Sequence, residues 1–219
     1  MRGNPRAAPG RAAARLDGER SRQRILDAAE RLLAERGFSG TGIAAISRES
    51  GLPASSIYWF FSSKEDLTAA VIERAADRWV DGFSESDAAP VEGDIDLRHF
   101  LEQALAQSGS RLPDFVRLHM LLGLEGGQPR SDLLERLHRV RERARRLVAA
   151  AIARSLASRH GAAATAVAEE VSLLAMALAN GALLFRHMEP AGIDVGRLAP
   201  DLEAAILALA EQRIAERKP

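Results

Sequence analysis

Apolar residues recur with a helical period along nearly all of this 219-residue chain, and no useful stretch alternates as a strand would. The first clear face is Ile25, Leu26, Ala29, Leu32 and Leu33, spaced i, i+1, i+4, i+7 and i+8. It predicts a helix from about Arg20, stopped by Gly37, with Phe38 packing just beyond. Thr41 is placed to cap a second, short helix with Ile43 and Ile46 turned inward. Gly51 breaks that helix, and Pro53, with its fixed φ, can start a third of about two turns ending near Phe61. Ser62-x-x-Glu65 reads as a capping box for a fourth helix through Leu67, Val71, Ala75 and Trp79. Residues 20–61 are thus three helices, the last two joined by a tight glycine turn, which is the helix-turn-helix pattern.

Beyond Phe83, "SESDAAPVEGD" reads as an acidic, turn-rich linker. Helices are expected at about 96–108, 113–123, 132–159, 163–188 and 198–216. Gly109, Pro113, "GGQPRSD", Gly161 and "EPAGIDVG" mark the breaks between them. The expected fold class is all-α: an N-terminal three-helix unit followed by a larger helical domain. Residues 1–17 carry Arg2, Arg6, Arg11 and Arg15 among Gly, Pro and Ala, without apolar periodicity. They are expected as a disordered basic arm, either a solvated tail or a source of phosphate and minor-groove contacts. The expected division is therefore 1–17 arm, 18–64 helix-turn-helix domain and 65–219 second domain.

Composition changes this picture mainly by exclusion. Hydrophobic residues make up 47% of the chain, rich in the helix formers Ala, Leu and Arg. The absence of cysteine removes disulfides, thiolate metal sites and cysteine nucleophiles, and fits a reducing cytosol. No histidine pair among His99, His119, His138, His160 and His187 stands at i, i+4, and no HExxH, GxSxG, GxGxxG or phosphate-loop motif occurs. No catalytic residue, cofactor or metal is expected, and the chain is not read as an enzyme. No apolar run approaches the ~18 residues of a membrane span, and charges stand where a signal peptide needs an apolar stretch. A cytoplasmic protein with no membrane partner is expected.

The formal net charge of zero hides an asymmetry. Residues 1–64 hold eleven Lys/Arg against six Asp/Glu, and the remainder nineteen against twenty-four. A basic front end suits a polyanion. In a helix-turn-helix the second helix of the pair lies in the DNA major groove. Ala54, Ser55 and Ser56 suit such a helix: they let the backbone approach and offer hydroxyls. Ile57 and Phe61 hold its core side. Tyr58 can give its hydroxyl to a phosphate, and Trp59 stands beside it. Lys64, one of only two lysines with Lys218, sits at a helix start where a cation and free N–H groups suit a phosphate oxygen. "RLHRVRERARRL", Arg136 to Leu147, could suggest a second nucleic-acid site. Its Glu135–Arg139 and Glu142–Arg146 spacings instead favour a solvated helix.

The stretch Ile25 to Leu67 resembles the N-terminal DNA-binding domain of the TetR family of transcriptional regulators. The resemblance rests on Ile25-Leu26-x-Ala28-Ala29, Gly37-Phe38, Thr41, Ile46, Gly51, Ile57-Tyr58, Phe61 and Ser63-Lys64-Glu65-x-Leu67. Three positions depart from the family pattern. Phe60 stands where a histidine is usual, Pro53 where a serine often caps the helix, and Gly42, Ile43, Ala44 and Ala45 where polar contacts are common. These departures imply heavier reliance on Tyr58, Lys64, the Thr41 hydroxyl, backbone amides and, as a further candidate, the arginine arm.

The resemblance implies a homodimer joined by a four-helix interface, with residues 166–188 and 198–216 as candidates. "LLAMALANGALLF", Leu173 to Phe185, is apolar nearly all round. The expected interface residues are Ala175, Ala179, Gly181 and Ala182, with Leu202, Ile206 and Leu209. A pocket for a small, mostly apolar effector is expected at Trp79, Phe83, His119, Met120, Met176 and Asn180. The resulting expectation is a DNA-binding regulator, a repressor released from a pseudo-palindromic operator by its effector. Two rivals stand beside it: a small-molecule carrier that has lost specific DNA binding, and an all-α enzyme with an unrecognised site.

Overall fold

In the computed structural model, residues 9–84, 96–108, 115–118, 120, 131–189, 192 and 194–217 are described. Every regular element among them is an α-helix. The chain divides into two compact units: Met1–Ile72 with Leu118–Glu135, and Glu73–Arg117 with Arg136–Pro219. The expected boundary at 64/65 thus gives way to a division inside a helix, after Ile72. The linker expected at Ser84–Asp94 lies, after its first residue, outside the described residues.

The first unit contains α1 (Pro9–Arg36), α2 (Ile43–Ser50), α3 (Ala54–Phe60) and the start of α4 (Lys64–Ser84). The α1 face expected from the apolar spacing is the one buried: Ile25, Leu26, Ala29, Leu32 and Leu33 are all in the core. α2 packs on α1, and α3 packs on both, through buried Ile46, Ile57 and Phe61. α1 ends at Gly37, whose φ of 70° is left-handed and whose N–H donates to the Leu33 carbonyl at 3.0 Å.

Three local expectations are corrected. Residues 9–17, expected as a disordered arm, are the first turns of α1. Arg11-Ala12-Ala13-Ala14-Arg15-Leu16 is made of strong helix formers, so propensity alone extends the helix beyond its buried face. The α2 cap is Gly42, with no side-chain capping bond, because the Thr41 side chain is 0% exposed and points back into α1. Its hydroxyl lies 2.8 Å from the Gly37 carbonyl and 3.1 Å from that of Leu32, satisfying α1's last turn. The α4 cap is shifted by one residue. The Ser63 hydroxyl accepts from the Asp66 N–H at 3.1 Å, and the Asp66 carboxylate accepts from the Ser62 N–H at 2.9 Å. Asp66 therefore takes the place expected of Glu65.

Gly51 closes α2 with φ 66°, and this position supports a direct prediction. A Cβ here would lie 2.9 Å from Arg24 Nη2, which donates to the Ser50 carbonyl at 2.6 Å. Gly51→Ala therefore incurs left-handed strain and disturbs the bond that ties α1 to the end of α2. A loss of about 1–3 kcal/mol is expected in urea unfolding. Stability equal to wild type would rule this strain out.

The second unit is built from α5 (Leu97–Ser108), α6 (Ser131–His160), α7 (Ala162–Met188) and α8 (Val195–Glu216), with the rest of α4 and a helical segment at 115–117. α8 packs against α7 and α5 around a core including Phe100, Leu101, Ile152, Leu156, Val167, Val171, Leu202 and Ile206. Helix starts are capped as their sequences allow. Asp96 accepts from the His99 N–H at 2.9 Å, Ser155 Oγ from the Leu97 N–H at 2.9 Å, and Asp194 from the Gly196 N–H at 2.9 Å.

The arginine-rich stretch of α6 is bound up in ion pairs within this unit. Arg136 forks onto Glu73 and Arg143 reaches Asp77. Glu142 pairs with Arg145 at 2.6 Å, three residues on, rather than with Arg146. Hydrogen bonding from Arg145 holds the Glu142 carboxyl below its ordinary range. One composition-based expectation also changes. α7 is long and apolar enough to cross a membrane, with a mean hydropathy of 1.5 over its richest 18 residues. Its sequence is dominated by Ala and Leu because one side packs against α8, while the other is an apolar surface.

Candidate nucleic-acid interface and apolar cavity

The turn between α2 and α3 is fixed by its own serines. Ser47 Oγ donates to the Leu52 carbonyl at 2.7 Å, and Ser50 Oγ accepts from the Leu52 N–H at 3.4 Å. Pro53 is the N-cap of α3 rather than its first helical residue. With Ile57 and Phe61 buried against α1 and α2, the helical period turns Ser55, Tyr58 and Trp59 outward. Tyr58 is 57% exposed and Trp59 78%, large values for aromatic side chains in an ordered helix. Ala54 and Ser56 flank this face, half-buried. Phe60 is also half-buried, edge-on to Trp59 with centroids 4.5 Å apart and 6.4 Å from Phe61. At this position, where the family pattern usually has a histidine, Phe60 forms an aromatic row with Trp59 and Phe61.

Lys64 has a second role. Its Nζ donates to the Phe38 carbonyl at 2.8 Å and lies 3.9 Å from the centre of the Phe38 ring. It pins the start of α4 to the α1–α2 turn, leaving its other N–H donors for an outside acceptor. Arg22 stacks over Phe61 at 5.3 Å from a neighbouring face, a contact that the α1 spacing could not indicate. Thr41, expected at the DNA surface, is removed from it by complete burial.

Residues 25–71 match the family of bacterial regulatory proteins described as the tetR family. This segment is a tetR-family domain. The segment is 37% identical over 57 residues to the HTH-type transcriptional regulator AcrR of Shigella flexneri, a match covering 26% of each chain. It is 33% identical over 57 residues to the HTH-type transcriptional regulator TtgR of Pseudomonas putida, covering 26% of this chain and 27% of that one. The similarity thus spans about a quarter of the length of these curated relatives. The fold likeness reaches further. A proposed transcriptional regulator from Pseudomonas aeruginosa PAO1 superposes with a TM-score of 0.72 at 20% identity, covering 91% of this chain and 95% of the other. At that identity the likeness concerns the fold alone. It takes in the helical unit as well as the N-terminal domain.

Within the second unit lies a small, mostly apolar cavity, partly open to solvent. Its walls come from α4, α5, α6, α7, α8 and the segment at 115–117. Three of the six residues expected there line it: Trp79, Met176 and Asn180. Met120 is not among the lining residues; His119 and the side chain of Phe83 lie outside the described residues. Sequence reasoning missed the α5 wall, Leu97, Phe100, Leu101 and Ala104, although their i, i+3, i+4, i+7 spacing is an ordinary amphipathic signal. Trp79 meets Phe100 edge-on at 6.1 Å and lies 5.3 Å from Phe115, making an aromatic wall. Asn180 supplies the amide among otherwise apolar neighbours.

Some of the residues expected at a dimer interface are instead used within the unit. Ala175, Leu202 and Ile206 are buried in the unit's own core, and Ala175, Ala179 and Ile206 line the cavity. Gly181, Ala182 and Leu209 are half-buried. The exposed apolar face of α7 carries Leu173, Leu174, Leu178, Phe185 and Met188, with Gly181 at helical spacing between Leu178 and Phe185. A helix apolar all round has no preferred face in its sequence, so only packing reveals which side remains outside.

Proposed function

We propose that the chain is a cytoplasmic, homodimeric transcriptional regulator without enzymatic activity, whose N-terminal domain binds an operator and whose C-terminal domain binds an effector. The outward Ser55–Tyr58–Trp59 face of α3, in a domain matching regulatory proteins, carries the DNA-binding reading. Base edges would meet Ala54, Ser55, Ser56 and Trp59, and phosphates would meet Tyr58 and the remaining donors of Lys64. The mostly apolar cavity supports a small effector with a few polar anchors, and repression relieved by that effector is the simplest coupling. The exposed apolar face of α7, beside the small exposed residues Ala204, Ala208 and Ala215 of α8, supports a two-fold four-helix interface. Such a dimer presents two recognition helices about 34–36 Å apart, hence a pseudo-palindromic operator.

Fluorescence anisotropy with labelled DNA from upstream of the protein's own gene tests this reading. A fragment should bind and resist competition by random DNA. Tyr58→Phe and Lys64→Ala should each weaken every sequence alike, by about tenfold, whereas Ser55→Ala should alter sequence preference. Buried Thr41, the engaged Lys64 and the apolar Gly42 and Ala44 surface favour the rival of a carrier without specific DNA binding. Binding of all fragments at one common affinity would support that rival and end the regulator reading.

A further inference from the structure

Arg186 is a charged side chain only 6% exposed, and its Nε and Nη2 have no hydrogen-bond partner among the described residues. Two arginines of the same unit show what satisfies such a group. Arg136 presents Nε and Nη2 side-on to Glu73, and Arg145 presents the same two atoms to Glu142. That edge of the guanidinium is the two-pronged donor that matches a carboxylate. In Arg186 it is buried and unused, a costly arrangement unless an acceptor arrives.

The position of Arg186 suggests where the acceptor would come from. It follows Leu183 by three residues and Ala179 by seven, and both line the cavity. With buried Ala168 and Ala175 it continues one inward stripe of α7. The cavity wall therefore leads, one helical turn on, to a buried cation.

We propose that the effector is an amphipathic acid, its apolar body filling the cavity and its carboxylate held side-on by Arg186. This rests on the cavity being the effector site and specifies the chemistry of its occupant. An alkyl or aryl carboxylate meets both requirements: its apolar body suits the apolar walls, and the anion completes the guanidinium's bonds. Asn180 and the Trp79 indole remain as polar features of the wall for substituents along the body.

The two tryptophans allow a direct test. Trp59→Phe leaves Trp79, in the cavity wall, as the single reporter. Decanoate, decan-1-ol and decylamine are titrated below their micelle concentrations, following Trp79 emission and the melting temperature. Decanoate should bind at least about tenfold more tightly than decan-1-ol, with decylamine weakest. Arg186→Met, which keeps an unbranched apolar stem and removes the charge, should abolish that preference while decan-1-ol binding persists. Arg186→Lys should restore part of it, and serves as the second variant if the methionine protein is poorly folded. Equal affinity for acid and alcohol, or an acid preference that survives Arg186→Met, overturns the acid assignment and leaves the cavity reading standing. No response of Trp79 to any of the three probes overturns both.

Discussion

Replacing Leu174 and Leu178 together with arginine is expected to give a folded monomer that binds operator DNA about 10²–10⁴-fold more weakly than the parent protein. Leu174 is 56% exposed, and Leu178, one turn away, lies on the same outer face of α7 as Phe185 and Met188. An exposed contiguous apolar strip on a two-helix surface is unusual unless something covers it. In a two-fold dimer each leucine would meet the partner's α7–α8 pair, so four new charges would be buried against one another. In the monomer the same arginines face water, and the melting temperature extrapolated to low protein concentration should hardly change. Light scattering on a size-exclusion column gives the mass, and anisotropy gives the affinity. A variant that stays dimeric, or a monomer that binds DNA as tightly as the parent, would remove the proposed interface or its role in DNA binding.

The contrast with Ala175 shows how little of this surface is legible in the sequence. Both Ala175 and Leu174 belong to a run whose hydrophobicity gives no preferred direction, and small residues are the natural choice for close helix approach. Packing reverses that choice, because α8 and the cavity take the alanine side and leave the leucine side open. The N-terminal domain is far more legible. Its apolar positions are spaced on single faces, Gly37 and Gly51 sit where left-handed turns are required, and its helix order follows directly. What escapes there are side chains whose partners are distant in sequence. Lys64 binds a carbonyl 26 residues away, and Thr41 folds back onto α1 across the turn. Arg186 escapes for a different reason. A cation near a helix C-terminus normally reads as a surface residue complementing the helix dipole, and only its burial gives it a chemical role.

Within the seven residues of α3, stability and recognition are separable, and two substitutions should divide them. Ile57→Ala is expected to cost about 2–5 kcal/mol, because the side chain is completely buried where α1, α2 and α3 meet. In a unit this small that loss removes much of the available stability, so DNA binding should fail through unfolding of the recognition helix. The loss should be visible as a lowered urea midpoint, with binding partly recovered on cooling toward the temperature of maximum stability. Trp59→Ala removes a larger side chain two residues away, yet 78% of it faces solvent and its ring meets Phe60 edge-on. Its urea midpoint should stay within about 0.5 kcal/mol of the parent, while operator affinity falls at every temperature. The two variants thus lose binding by different routes, one through the fold and one through the contact. If Trp59→Ala bound DNA like the parent, the exposed ring would lie outside the interface, and the DNA-reading face of α3 would have to be redrawn around Ser55 and Tyr58.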